Sequence, residues 1–246
     1  MATLLPTLLG VALVSGGAFV LRALRCRRSR CLLRHSPRKE ILDSSPSFPP
    51  LHVPVVHRPT TWLAVRSRHL CSVQCALGLH NPKPCTWTEG LSSEGKLFIA
   101  PPVNGWILAI GSGLPEPDED VDACFRCLLD LSRKLGHVQF FSAVPALGYH
   151  MWARAEAGRV VRAYAWAGTT LWNQGIKTPA ELELGLKCFQ YHESPPPPFW
   201  GRPNVITTNT ERVPLLAARW SLDPTAVQER VFEQACGVAG EPSPLY

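Results

Sequence analysis

The sequence carries no Asn-x-Ser/Thr glycosylation signal, since Asn81, Asn104, Asn173, Asn204 and Asn209 all fail the rule. It has no P-loop and no His-Glu-x-x-His. Gly111-Ser112-Gly113 falls short of a nucleophile elbow and does not continue into a dinucleotide fingerprint. No complete catalytic set is present, and no cofactor is implied. A disulfide framework is missing too: the nine cysteines, at 26, 31, 71, 75, 85, 124, 127, 188 and 236, are odd in number and scattered. A reducing, cytoplasmic location fits these absences.

Net charge is lacking once it is located. The chain of 246 residues has a formal charge of +6, but residues 22–40 hold eight bases (Arg22, Arg25, Arg27, Arg28, Arg30, Arg34, Arg38 and Lys39) against Glu40. Residues 41–246 keep 17 bases and 18 acids, a net −1. A near-neutral domain gives no electrostatic case for nucleic acid.

What is there begins with Leu4–Leu21, an uncharged run of eighteen residues. As a helix it spans roughly 27 Å, close to the ~30 Å hydrocarbon core of a bilayer. The arginine collar follows at once, so the positive-inside rule predicts a single-pass cell-membrane protein with its globular domain on the cytoplasmic side. An anchor is preferred to a cleaved signal peptide, because no basic segment precedes the run and arginines after a cleavage site hinder translocation. Arg22–Lys39 is expected to contact anionic lipid headgroups. Cys26 and Cys31 sit in the collar, where acylation would strengthen attachment, although unmodified thiols are the simpler expectation.

Residues 36–60 hold six prolines and no period, and read as an extended tether. The expected division is thus an anchor over 1–22, a basic and proline-rich segment over 23–60, and one globular domain over 61–246. Trp62, Val65, His69, Val73 and Leu77 recur at helical spacing, with Gly78 as a stop. Lys96–Ala100 and Trp106–Ile110 form a predicted hairpin, and Val121–Leu135 an amphipathic helix ended by Gly136. Three strands follow: His137–Val144, Tyr149–Ala157 and Arg159–Ala167. A two-residue turn at Ala157-Gly158 sets Glu156 opposite Arg159; a three-residue loop would oppose Arg154 to Arg162. Thr178-Pro179-Ala180-Glu181 opens a capped helix that carries Leu182, Leu186 and Phe189 inward. Further helices are expected over Val213–Trp220 and after Asp223. The fold class is α+β: an antiparallel sheet of about five strands covered on one side by helices, preceded by one N-terminal transmembrane helix.

Several groups invite chemistry. Asp118, Asp120 and Asp122 have the opening spacing of a calcium loop, but Ala123 and Leu129 occupy its glycine and glutamate positions, so they are better explained as carboxylates at a helix N-terminus. Cys124 and Cys127 lie within the amphipathic helix and are expected to be core thiols. His69, Cys71, Cys75, His80 and Cys85 supply ligand types without zinc-site spacing; His69 is expected on a partly buried helix face. Residues 149–172 are unusual in aromatics and arginine. The two-residue turn places Tyr149, Met151, Ala153 and Ala155 on one face with Val160, Arg162, Tyr164 and Trp166. Either that face is core, in which case Arg162 needs a buried acid, or Trp152, Arg154, Arg162, Tyr164 and Trp166 bind a partner, since Trp, Tyr and Arg dominate interface anchors.

Taken together, Gly105-Trp106-Ile107-Leu108, Leu114-Pro115, Val138-Gln139-Phe140-Phe141, Tyr149–Ala155, Gly158–Tyr164, Thr170-Leu171-Trp172 and Ala217–Pro224 resemble an uncharacterised bacterial domain of unknown function over residues 90–235. The resemblance implies a bacterial source and a single domain, and no activity. The leading expectation is a membrane-tethered protein-interaction module without catalysis. The alternative is a hydrolase-type or metal-dependent enzyme using thiol or imidazole groups from 69–85 or His150.

Overall fold

The computed structural model describes residues 59–197, 204–227 and 235–243. Nine strands form one sheet: β1 (Thr61–Arg66), β2 (His80–Cys85), β3 (Leu97–Ile99), β4 (Trp106–Gly111), β5 (His137–Val144), β6 (Tyr149–Glu156), β7 (Arg159–Trp166), β8 (Thr170–Gln174) and β9 (Gly237–Glu241). Their spatial order is β2-β9-β3-β4-β1-β5-β6-β7-β8, and every neighbouring pair is antiparallel. Helices α1 (Leu70–Ala76), α2 (Trp87–Leu91), α3 (Val121–Leu135), α4 (Pro179–Glu183) and α5 (Val205–Trp220) complete the described elements.

The sheet is larger than the five strands expected, and helices cover both of its faces. One core layer packs Val73 of α1, its C-cap Leu77, and Cys124, Leu128 and Leu131 of α3 against Leu63, Val65, Phe140 and Met151. The other packs Trp87 of α2 and Val213, Leu216 and Ala217 of α5 against Trp62, Phe141, Trp152 and Tyr164. A central strand buried on both faces loses the polar alternation that marks a strand. That is why Trp62 and Val65 mimic a helix: Trp62–Val65 is wholly buried in β1, and helix begins only at Leu70. β2 reads HNPKPC and looks like a loop, but it is an edge strand, where proline is tolerated.

The hairpin β3–β4, helix α3 and the meander β5–β6–β7 match their predicted spans closely. Asp120 caps α3, accepting the Ala123 amide at 2.9 Å, and Arg133 and Lys134 in the last turn complement the helix dipole. α5 begins at Val205, eight residues earlier than expected, with Asn204 as its N-cap, and runs through Pro214. Asp223 opens a turn rather than a described helix: its carboxylate accepts the Thr225 amide at 2.8 Å.

The β6–β7 turn has two residues, with Ala157 and Gly158 both at positive φ, and Glu156 faces Arg159 as expected. A bulge follows at once. Ala155 pairs with Val160, but Arg154 pairs with Arg162, and Val161 is left over, 45% exposed. Beyond the bulge the expected faces are exchanged: Arg162, Tyr164 and Trp166 share a layer with His150, Trp152 and Arg154, and Met151 and Ala153 share the other with Ala163 and Ala165.

Among the described residues no helix is long and apolar enough to cross a membrane, and the fold class is corrected from a sheet of about five strands to one of nine antiparallel strands. Leu4–Leu21, the collar Arg22–Lys39 and the tether up to residue 58 lie outside the described residues.

Candidate functional site

Arg162 projects from β7 into the layer beneath α4 and is 1% exposed; Glu181 of α4 is fully buried against it. The guanidinium donates Nη2 to Oε1 at 2.7 Å and Nε to Oε1 and Oε2 at 2.9 and 3.1 Å. Nη1 donates to the carbonyls of Ala163 and Gln174 and to Asn173 Oδ1, and Nη2 also reaches Cys188 Sγ at 3.1 Å. Trp152 Nε1 donates to Glu181 Oε1 at 2.8 Å, and the Thr178 amide and hydroxyl donate to Oε2. Burial pushes the Glu181 carboxyl up, but hydrogen bonds from Arg162, the Thr178 amide and Trp152, with the guanidinium charge, leave it below its ordinary value. The acid that Arg162 requires is therefore the N3 glutamate of the predicted helix cap. Its local role masked its tertiary one. With every donor of the pair engaged, this is a structural network and has no free group for chemistry.

Trp152, Tyr164 and Trp166 belong to the same buried layer, at 0%, 0% and 4% exposure, so of the five predicted partner-binding residues only Arg154 reaches solvent. Tyr164 Oη accepts the Phe189 amide, and Trp166 packs on the Phe189 ring. The cover is the segment that follows α4. Leu186 and Phe189 are buried as expected, while Leu182 is exposed, the inward position of α4 being taken by Glu181.

His150 stacks on Trp152 in this layer and is 2% exposed. Thr210 Oγ1 donates to the Ile206 carbonyl, so it accepts the His150 Nδ1 proton at 2.9 Å. Nε2 then accepts from Asn209 Nδ2 at 3.4 Å. Burial brings the imidazole down to about 4, so it is neutral at physiological pH and has no carboxylate beside it. Cys124 and Cys127 are fully buried in the other layer, as expected of core thiols, and burial holds the Cys124 thiol far above its usual range. His69, Cys71 and Cys75 face solvent on or beside α1, so His69 is not the core residue its spacing implied. His80 pairs instead with Ser243. Among the described residues no group of three ligand types is placed to hold a metal.

Two clefts open elsewhere. One, of about 290 Å³, lies by Gly111-Ser112-Gly113 and Glu116; the other, of about 370 Å³, lies between the β7–β8 turn and Tyr191–Ser194. Glu193 in the second is engaged by the Gln190 amide. No hydrogen bond joins His192 to Ser194 there, and neither cleft presents a nucleophile activated by a base.

The open end of the sheet is different. Cross-strand pairing sets Arg66 opposite Trp106, and His137 opposite Glu156, which in turn faces Arg159; the β1–β5 ladder, ending at Val65–Val138, brings these two groups together at one end of the sheet as a single row. Gln139 and Arg154 lie two residues inward on the same face, under the last turn of α5. Arg154 Nη2 donates to Glu156 Oε1 at 2.6 Å, and its guanidinium lies 5.8 Å from the Trp220 ring centroid. Trp106 meets His137 edge-on at 5.1 Å. Burial holds His137 below its ordinary value, with Arg154 and Arg66 pushing the same way against Glu156. The Arg154 hydrogen bond, against a smaller desolvation effect, holds Glu156 down. Two buried polar atoms here, Gln139 Oε1 and Arg154 Nε, have no hydrogen-bond partner. The row was not legible in the sequence, because β1 read as helix and its register against β4 and β5 could not be drawn.

Comparison with protein-family models, with curated proteins and with solved structures returns no match, so the resemblance noted in the sequence draws no support from them.

Proposed function

We propose that this chain is a non-catalytic interaction module that docks a protein partner at the open end of its sheet, on Arg66, Trp106, His137, Arg154, Glu156 and Trp220. One observation carries this reading. The buried acid and guanidinium are engaged with one another and the imidazole with Thr210 and Asn209, whereas this end leaves arginine and tryptophan side by side and partly exposed. Such residues are the ones that anchor interfaces. Three arginines (Arg66, Arg154 and Arg159) stand against Glu156, which favours a partner segment rich in carboxylates. Attachment to an anionic bilayer through residues 4–39 belongs to the same proposal and would hold the module at the cytoplasmic face.

The test is capture of partners from cell extract by the full chain and by an Arg66→Ala/Arg154→Ala variant. The expected result is loss of the captured protein by at least tenfold with an unchanged melting curve. Equal capture by both proteins would remove the docking assignment.

A further inference from the structure

We propose that Cys85 and Cys236 form a reversible disulfide that fastens the last strand of the sheet. β9 lies between β2 and β3 and pairs with both, and β2 has no other strand partner among the described residues. The slot admits backbone with very little side chain. A Cβ on Gly237 would fall 2.4 Å from the Phe98 ring and 2.6 Å from the Ile99 carbonyl oxygen, and one on Gly240 would fall 2.4 Å from the His80 carbonyl oxygen. β9 is therefore held mainly by its two ladders, and a covalent tie at its entry would add what side-chain packing cannot.

The register supplies the tie. Cys85 pairs with Gly237, which sets Cys236 one residue off the pair. With strands about 4.8 Å apart and a rise of about 3.4 Å, the two α-carbons stand about 6 Å apart, within the range that a disulfide spans. Cys236 precedes the first paired residue of β9, where the alternation of the pleat no longer dictates its face. Burial is the main cause that raises the Cys85 thiol, followed by the charges of Glu89 and Cys236, while a hydrogen bond from the Ala239 backbone lowers it. Cys236 is exposed and Cys85 half-buried, whereas Cys124 and Cys127 are sealed in the core and Cys188 lies against Arg162.

The oxidant is a small disulfide such as glutathione disulfide. The Cys236 thiolate attacks one of its sulfurs and expels a glutathione thiolate. The Cys85 thiolate then attacks the mixed disulfide at the Cys236 sulfur and expels the second. Two protein thiols are oxidised, one disulfide is reduced to two thiols, and the two protons pass to the departing glutathiones.

The full chain would be equilibrated in glutathione buffers of graded potential, alkylated and peptide-mapped, with melting followed in parallel. A Cys85–Cys236 cross-linked peptide is expected to be the first disulfide to form, with a rise in melting temperature of several degrees. Cys236→Ser should abolish both effects while leaving the reduced protein's melting curve unchanged. Glutathione persisting on Cys236 while Cys85 stays alkylatable would overturn the proposal, as would a first disulfide elsewhere, for instance between Cys71 and Cys75.

Discussion

Glu181 and His150 show how far a single side chain is committed to this fold. Removing one partner of a buried, fully hydrogen-bonded ion pair strands the other charge, at a cost of about 3–5 kcal/mol. Glu181→Ala should therefore destabilise the domain by about that amount, and Glu181→Gln by less, as measured by denaturant unfolding. A double variant that replaces Arg162 and Glu181 together with apolar residues should recover much of the loss. His150 makes stability depend on pH. Unfolded, it takes a proton near its ordinary 6.5; folded, only near about 4. Between those values the unfolded chain binds more protons, so stability falls as pH is lowered from 6.5 towards 4. The fall from this residue is about 3 kcal/mol. His137, also depressed, adds in the same direction. Unfolding curves across pH 4–7 should show the slope, and His150→Gln should flatten most of it. The need of Arg162 for an acid was legible in its sequence setting. Its partner was not, because a glutamate three residues after a threonine is already explained by capping.

Among the elements, the β6–β7 hairpin decides which side chains meet. A regular ladder from a two-residue turn would place Arg162, Tyr164 and Trp166 with Met151 and Ala153. The bulge at Val161 moves them across the sheet to Trp152, Glu181 and Phe189. Arg154 and Arg162 then sit opposite each other, an unfavourable pair made tolerable because each has its own carboxylate, Glu156 and Glu181. Deleting Val161 should leave the pairing of Arg154 with Arg162 intact and be tolerated, with near-UV circular dichroism retained. Deleting Ala163, which is in regular register with both neighbouring strands, should turn Tyr164 and Trp166 to the wrong face and abolish cooperative unfolding. One exposed residue thus sets the layer for three large buried ones.

For the whole molecule, charge and fold are separated along the chain. The collar holds eight bases between residues 22 and 40, and residues 41–246 are almost neutral. If residues 4–39 attach the protein to a bilayer, its full chain should sediment with vesicles containing anionic lipid. Headgroup contact is worth about 1 kcal/mol per base near the surface, so replacing four collar arginines with glutamine should weaken binding by at least a hundredfold. Binding that is indifferent to both lipid charge and the substitutions would remove the collar from this role.

The amino-acid sequence by itself determined the elements whose signals are local. The capping and apolar stripe of Val121–Leu135 specify a helix, alternation and turn chemistry specify the three strands from His137 to Trp166, and Thr178–Glu181 specifies a capped turn. Only the tertiary structure decided the rest. β1 has no polar face because both its sides are covered, β2 is a strand despite two prolines because it is an edge, and β9 is a strand because β2 and β3 leave it a slot. The same holds for the proposed docking row: it joins the meander β5–β6–β7 to β4 and β1, which lie elsewhere in the chain, and no local pattern can announce a neighbourhood that hydrogen-bonded register alone creates.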